Sequence, residues 1–190
     1  EVTNKQLGLG SATIQFTTKE ATKVKILYGK SERFGGSNEV NTSTQESTYT
    51  TVLANLEDGT KYYYKLNTYD SEDNEYEGNV YSLTTPARPR ISNLRFEPVE
   101  GEPTSTQRVS WTTNVPATSE VTYSAQGQPA QDKLDSQLVS EHSVVILGLA
   151  DDSTYSLVAR SRDGQGNAAI SETQTFRTAL DTRAPKISDV

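Results

Sequence analysis

Apolar and polar positions alternate along this chain. Ala12, Ile14 and Phe16 are spaced by two, as are Val24, Ile26 and Tyr28, and again Tyr62, Tyr64 and Leu66. A period of two puts every second side chain on one face of an extended strand, so each run predicts a strand with one buried side. No window of 11 to 18 residues carries a helical apolar period, and helices are not expected.

The pattern also repeats. Phe16-Thr17-Thr18 returns 95 residues later as Trp111-Thr112-Thr113, and Ile26 and Tyr28 return as Val121 and Tyr123. Leu56 and Tyr62 return 93 residues later as Leu149 and Tyr155, and Leu83-Thr84-Thr85 as Phe176-Arg177-Thr178. Small drifts in offset fall between strands, where loops absorb insertions. The chain therefore reads as one all-β unit written twice. In the second copy, strands are expected at 91–96, 107–113, 119–124, 143–147, 154–162 and 168–177, a spacing that suits a β-sandwich. The expected domains are 1–87 and 88–183. The short junction contains Pro86 and Pro89, which favour an extended connection, so the two sandwiches are expected to form a rod.

The ends extend the pattern. The second copy opens with Pro89-Arg90-Ile91-Ser92-Asn93-Leu94, and the chain closes with Pro185-Lys186-Ile187-Ser188-Asp189-Val190, 96 residues on. Residues 184–190 thus read as the start of a following repeat. The first copy has fifteen residues before Phe16, whereas the second has 22 from Pro89 up to Trp111. That count predicts an incomplete first strand, completed by a neighbouring domain or subunit through a segment such as 185–190.

These residues resemble the fibronectin type III family, in particular the versions found in bacterial surface and secreted proteins and in the N-terminal domains of purple acid phosphatases. The resemblance rests on Phe16 and Trp111, on the Leu56–Tyr62 and Leu149–Tyr155 spacings, and on Asp163-Gly164-Gln165-Gly166-Asn167 followed by Thr175-Phe176-Arg177-Thr178. It implies two consecutive immunoglobulin-like sandwiches and a tyrosine corner at Tyr62 and Tyr155, in which the phenol bonds upstream backbone. It also implies an extracellular or cell-surface setting, prokaryotic by the kind of relative, with a spacer, stalk or adhesive role in a larger protein. Two alternatives stand beside it: accessory domains of a secreted carbohydrate-active enzyme or phosphatase, and a filament subunit sharing its first strand between neighbours. The partners then are neighbouring domains or subunits, a cell-surface protein, or a polysaccharide.

Composition narrows the chemistry. Among 190 residues there is no Cys and one His, which removes thiolate chemistry, disulfides and multi-His metal sites. No run of about 18 apolar residues exists, so no membrane insertion by a helix is expected. The net charge of −7 argues against nucleic acid, which is bound through clustered cations. No cofactor is implied. His142 raises the question of a Ser-His-Asp triad, but no G-x-S-x-G elbow is present and Tyr49 matches His142 in the first copy, so no catalytic residue is assigned. Asp70, Glu72, Asp73, Glu75 and Glu77 cluster at an expected hairpin tip and are candidate Ca²⁺ ligands, although charged tips are also ordinary turns. Tyr63 and Tyr69 alternate with inward tyrosines and are candidate ligand-stacking rings on the outer face.

Overall fold

The computed structural model describes residues 1–102 and 104–182. It is all-β, with no helix among the described residues, and it divides into two units, Glu1–Ala87 and the chain from Arg88 onward.

Unit 1 has two layers. One is β1 (Val2–Leu7), β2 (Ser11–Thr18) and β5 (Ser47–Ala54), in the order β1-β2-β5. The other is built from β3 (Lys23–Gly29), β4 (Gly36–Asn41) and β6 (Lys61–Tyr69), in the order β4-β3-β6. Two short strands, β7 (Glu75–Tyr76) and β8 (Val80–Thr84), both pair with β6. The alternating residues fill the space between the layers: Ala12, Ile14, Phe16 and Leu53 from the first, and Val24, Ile26, Tyr62, Tyr64 and Leu66 from the second. Between β7 and β8 the chain runs very close to β6. A side-chain carbon at Gly78 would sit 2.2 Å from the Leu66 carbonyl oxygen, so the chain passes β6 at a distance only glycine permits.

Unit 2 reaches the same arrangement with longer strands. These are β9 (Ile91–Pro98), β10 (Gln107–Ala125), β11 (Gln131–Ile146), β12 (Thr154–Arg162), β13 (Ala168–Ile170) and β14 (Gln174–Arg177). The first half of β10 pairs with β9 and with the end of β11; its second half pairs with the start of β11 and with β12. Register shifts at Thr112/Ala117 and Ala117/Ser119 bend it between the two layers. Strands that change layer at a bulge are a known way to turn a sandwich corner. The segments expected separately at 107–113 and 119–124 are therefore one bent strand. The single strand expected at 168–177 is instead split, because the Ser171 hydroxyl accepts the Ala159 N–H (2.9 Å) where a ladder carbonyl would otherwise stand.

The expectation of an incomplete first strand in the first copy is corrected. Val2–Leu7 pairs along β2 from Val2↔Phe16 to Leu7↔Ala12, and the Thr17 N–H donates to the Glu1 carbonyl (2.9 Å). The residue count misled because most of the difference lies in a connection. Three residues join β1 to β2, whereas eight separate β9 from β10. The first-strand place of unit 1 is filled by its own chain, which removes the premise of a shared-strand filament. The segment 184–190, read as the start of another repeat, lies outside the described residues.

Candidate functional site

Each unit carries the same clasp where its two layers close. The Tyr62 hydroxyl accepts the Glu57 N–H at 2.9 Å, and the Tyr155 hydroxyl accepts the Ala150 N–H at 2.9 Å. Leu56 and Leu149 are buried beside them, so each phenol ring closes a core while its oxygen ties down the preceding loop. A threonine just past the last strand locks the same loop. Thr85 Oγ1 accepts the Thr60 N–H (3.0 Å) and donates to the Glu57 carbonyl (2.6 Å); Thr178 Oγ1 does the same with the Ser153 N–H (3.0 Å) and the Ala150 carbonyl (2.7 Å). The sequence marks both threonines only by their repetition, since nothing in composition distinguishes them from their neighbours.

His142 lies inside unit 2 at 3% exposure, stacked on the Trp111 ring with centroids 4.9 Å apart and planes 5° from parallel. Both ring nitrogens are engaged at 2.8 Å, Nε2 with Thr113 Oγ1 and Nδ1 with Ser119 Oγ. Thr113 Oγ1 already donates its proton to the Val115 carbonyl (2.8 Å). It must therefore accept from His142, which places the imidazole proton on Nε2 and leaves Nδ1 to accept from Ser119. Burial lowers the His142 pKa below its ordinary value of 6.5. Trp111 Nε1 donates to Ser161 Oγ (2.9 Å), closing a polar cluster inside the core. The Ser119–His142 contact has the elements of a nucleophile and base, but no carboxylate orients the ring and Ser119 is itself 3% exposed. In unit 1 the matching pair is Phe16 stacked on Tyr49, centroids 5.7 Å apart.

The five acidic residues of the first copy do not converge. Asp70 Oδ1 accepts the N–H groups of Glu72 (2.9 Å) and Asn74 (3.0 Å), and its Oδ2 accepts from Asn74 Nδ2 (3.0 Å) and the Tyr76 hydroxyl (3.1 Å). The Asn74 side chain and backbone, followed by the other donors, hold the Asp70 carboxyl below its usual range. Glu75 Oε1 accepts from Asn67 Nδ2 (2.6 Å) and the Tyr69 hydroxyl (2.7 Å). Asp73 pairs with Lys23 and Glu77 with Lys65, each at 3.3 Å, while Glu72 is exposed. Among the described residues no three His, Cys, Asp or Glu side chains are grouped to hold a metal ion. In unit 2 the same turn is built by Asp163, which accepts from the Gln165 and Asn167 N–H groups (2.9 and 2.8 Å) and from Asn167 Nδ2 (2.8 Å). Asp70 and Asp163 organise hairpin turns.

Tyr63 and Tyr69 lie on the outer face of β6, and lysines cover them. Lys61 Nζ sits 4.9 Å from the Tyr63 ring centre and Lys23 Nζ 4.2 Å from that of Tyr69. The bond to Glu75, with burial and nearby carboxylates adding to it, pushes the Tyr69 hydroxyl up to about 12. The two rings thus serve ammonium groups of their own chain.

No family model matches the chain, and no curated protein does. It is similar to tandem fibronectin type III structures. A two-domain fibronectin type III segment of chicken tenascin is 13% identical, with 94% of this chain and 98% of that one covered and a TM-score of 0.42. The FN1–FN3 domains of chicken CNTN1 are also 13% identical, with 94% and 66% covered and a TM-score of 0.39.

Proposed function

We propose that this chain is a noncatalytic pair of fibronectin type III-like sandwiches serving as a spacer, stalk or adhesive segment of a larger extracellular or cell-surface protein. The observation that supports this most is the duplicated tyrosine and threonine clasp, which closes two separate cores at matching positions. A repeated module whose most specialised hydrogen bonds all serve closure is built to hold shape. The side chains with the composition of a catalytic site, Ser119 and His142, are spent inside a core. Buried polar side chains are satisfied from within, Asn67 Oδ1 being the exception among the described residues.

Pulling the full chain between its ends by single-molecule force spectroscopy tests the reading. Two separate unfolding events are expected, each releasing about 300 Å of chain, from roughly 3.6 Å per residue over about 87 residues. Light scattering should return a monomer. A single event releasing the whole length, or ordered polymers, would contradict the proposal.

A further inference from the structure

The loop joining β3 to β4 in unit 1 folds beside an open cavity of about 500 Å³, within the size range of small-molecule sites. Tyr28, Lys30, Arg33 and Phe34 form one part of its wall, and Asn55 and Tyr62 contribute to the rest. The wall is rigidly made. Phe34 has φ 46° and Asn55 φ 58°; asparagine tolerates the left-handed region, but a bulky ring is unusual there. The loop closes tightly over glycine, since a side-chain carbon at Gly29 would come within 2.9 Å of the Gly35 nitrogen. Tyr62 is fixed by the Glu57 N–H, so the phenol end of the cavity cannot swing away.

The second unit supplies an internal control. Its matching hairpin has the same length, Tyr123 pairing with Gln131 as Tyr28 pairs with Gly36. There the loop reads Ser-Ala-Gln-Gly-Gln-Pro-Ala instead of Gly-Lys-Ser-Glu-Arg-Phe-Gly, and its left-handed residue is Gly127. The hairpin therefore needs neither the cations nor the ring that unit 1 places there. Lys30 is held by Glu57. Arg33 is exposed, has no carboxylate partner among the described residues and lines the same cavity as Phe34, in a chain of net charge −7. Lys65 Nζ stands 5.6 Å from the Phe34 ring centre, so one face of that ring is taken by a cation of the chain and a sugar would use the other.

We propose that this cavity binds a carboxylate-bearing sugar, a uronic-acid residue of an acidic polysaccharide, with the carboxylate on Arg33 and the sugar ring against Phe34. A guanidinium fork matches the two oxygens of a carboxylate. An aromatic wall suits the apolar face of a sugar ring, and the Asn55 amide offers a donor and an acceptor to its hydroxyls. A single unpaired guanidinium fits one carboxylate better than a dense polyanion. The proposal stands apart from the spacer reading, because two-step unfolding under force does not depend on the Arg33 side chain.

Titration of the full ¹⁵N-labelled chain with a short oligomer of galacturonic acid tests it by NMR. Saturable shifts are expected at the amides of residues 29–36 and 55–57, with none around 124–130. Arg33→Gln and Phe34→Gly, the latter keeping the backbone conformation that glycine accepts, should each weaken binding about tenfold with the spectrum otherwise intact. An uncharged galactose oligomer should bind about tenfold more weakly than the acidic one. The proposal is overturned if no amide shift saturates, if Arg33→Gln leaves the affinity unchanged, if the neutral oligomer binds equally well, or if a glutamate-rich peptide binds more tightly.

Discussion

Trp111 does two jobs, filling the centre of its core and holding a polar cluster through the Ser161 bond and the His142 stack. Trp111→Ala should cost about 3–5 kcal/mol, from lost packing and a residual cavity. Tyr155→Phe should cost about 0.5–1.5 kcal/mol, because the freed Ala150 N–H belongs to an exposed residue that water can reach. Denaturant titrations of the two variants check the order. His142 adds a pH dependence with a definite sign. Its folded pKa is depressed by burial, so the unfolded chain binds the proton first, near pH 6.5. The stability it permits is complete above about pH 6.5 and is lost as pH falls from there toward the folded value, at no more than about 1.4 kcal/mol per pH unit. His142→Tyr, which copies the Tyr49 partner of unit 1, should flatten this slope between about pH 7 and pH 5.5 in melts. The sequence showed His142 on an alternating strand opposite a tyrosine in the other copy, but not its hydroxyl partners. Thr113 and Ser119 lie 29 and 23 residues away, and only the bend of β10 brings both to one ring.

At the scale of elements, alternation revealed those strands that have one wet and one dry face. The stretch 131–139 was missed because its side chains are exposed with little alternation, so no period marks it; its pairing to β10 alone makes it a strand. The bend of β10 was likewise hidden, because Asn114-Val115-Pro116 reads as a turn between strands, whereas the backbone stays extended through it. The close approach at Gly78 belongs to the same class, since it depends on how closely two chain segments pass. It yields a prediction: Gly78→Ala must push the segment off β6 or distort the Leu66 peptide, and unit 1 should lose about 1–3 kcal/mol. The same change at Gly35, where nothing lies within 4 Å of the added carbon, should leave the denaturation midpoint nearly unmoved. Equal effects at the two positions would mean that the close approach at Leu66 relaxes without cost.

For the whole molecule, each half has its own buried cluster and its own clasp, so each should unfold as its own cooperative body. The chain carries its own reporter for this. Its single Trp lies in unit 2, while the core rings of unit 1 are Phe16, Tyr62 and Tyr64. Trp111 fluorescence therefore follows unit 2 alone, whereas far-ultraviolet circular dichroism sums both units. In urea the two probes should diverge, fluorescence giving one transition and dichroism a broader or stepped one. Gly78→Ala should move only the part of the dichroism curve that fluorescence does not share, and Trp111 should report an unchanged midpoint. Acidification from about pH 7 to pH 5.5 should do the opposite, shifting the fluorescence transition through His142 while the unit 1 component stays where it was. Coincident curves for the unchanged chain near pH 7, for Gly78→Ala and at about pH 5.5 would show instead that the halves unfold as one cooperative body, and the duplicated clasp would then not be the boundary of cooperativity.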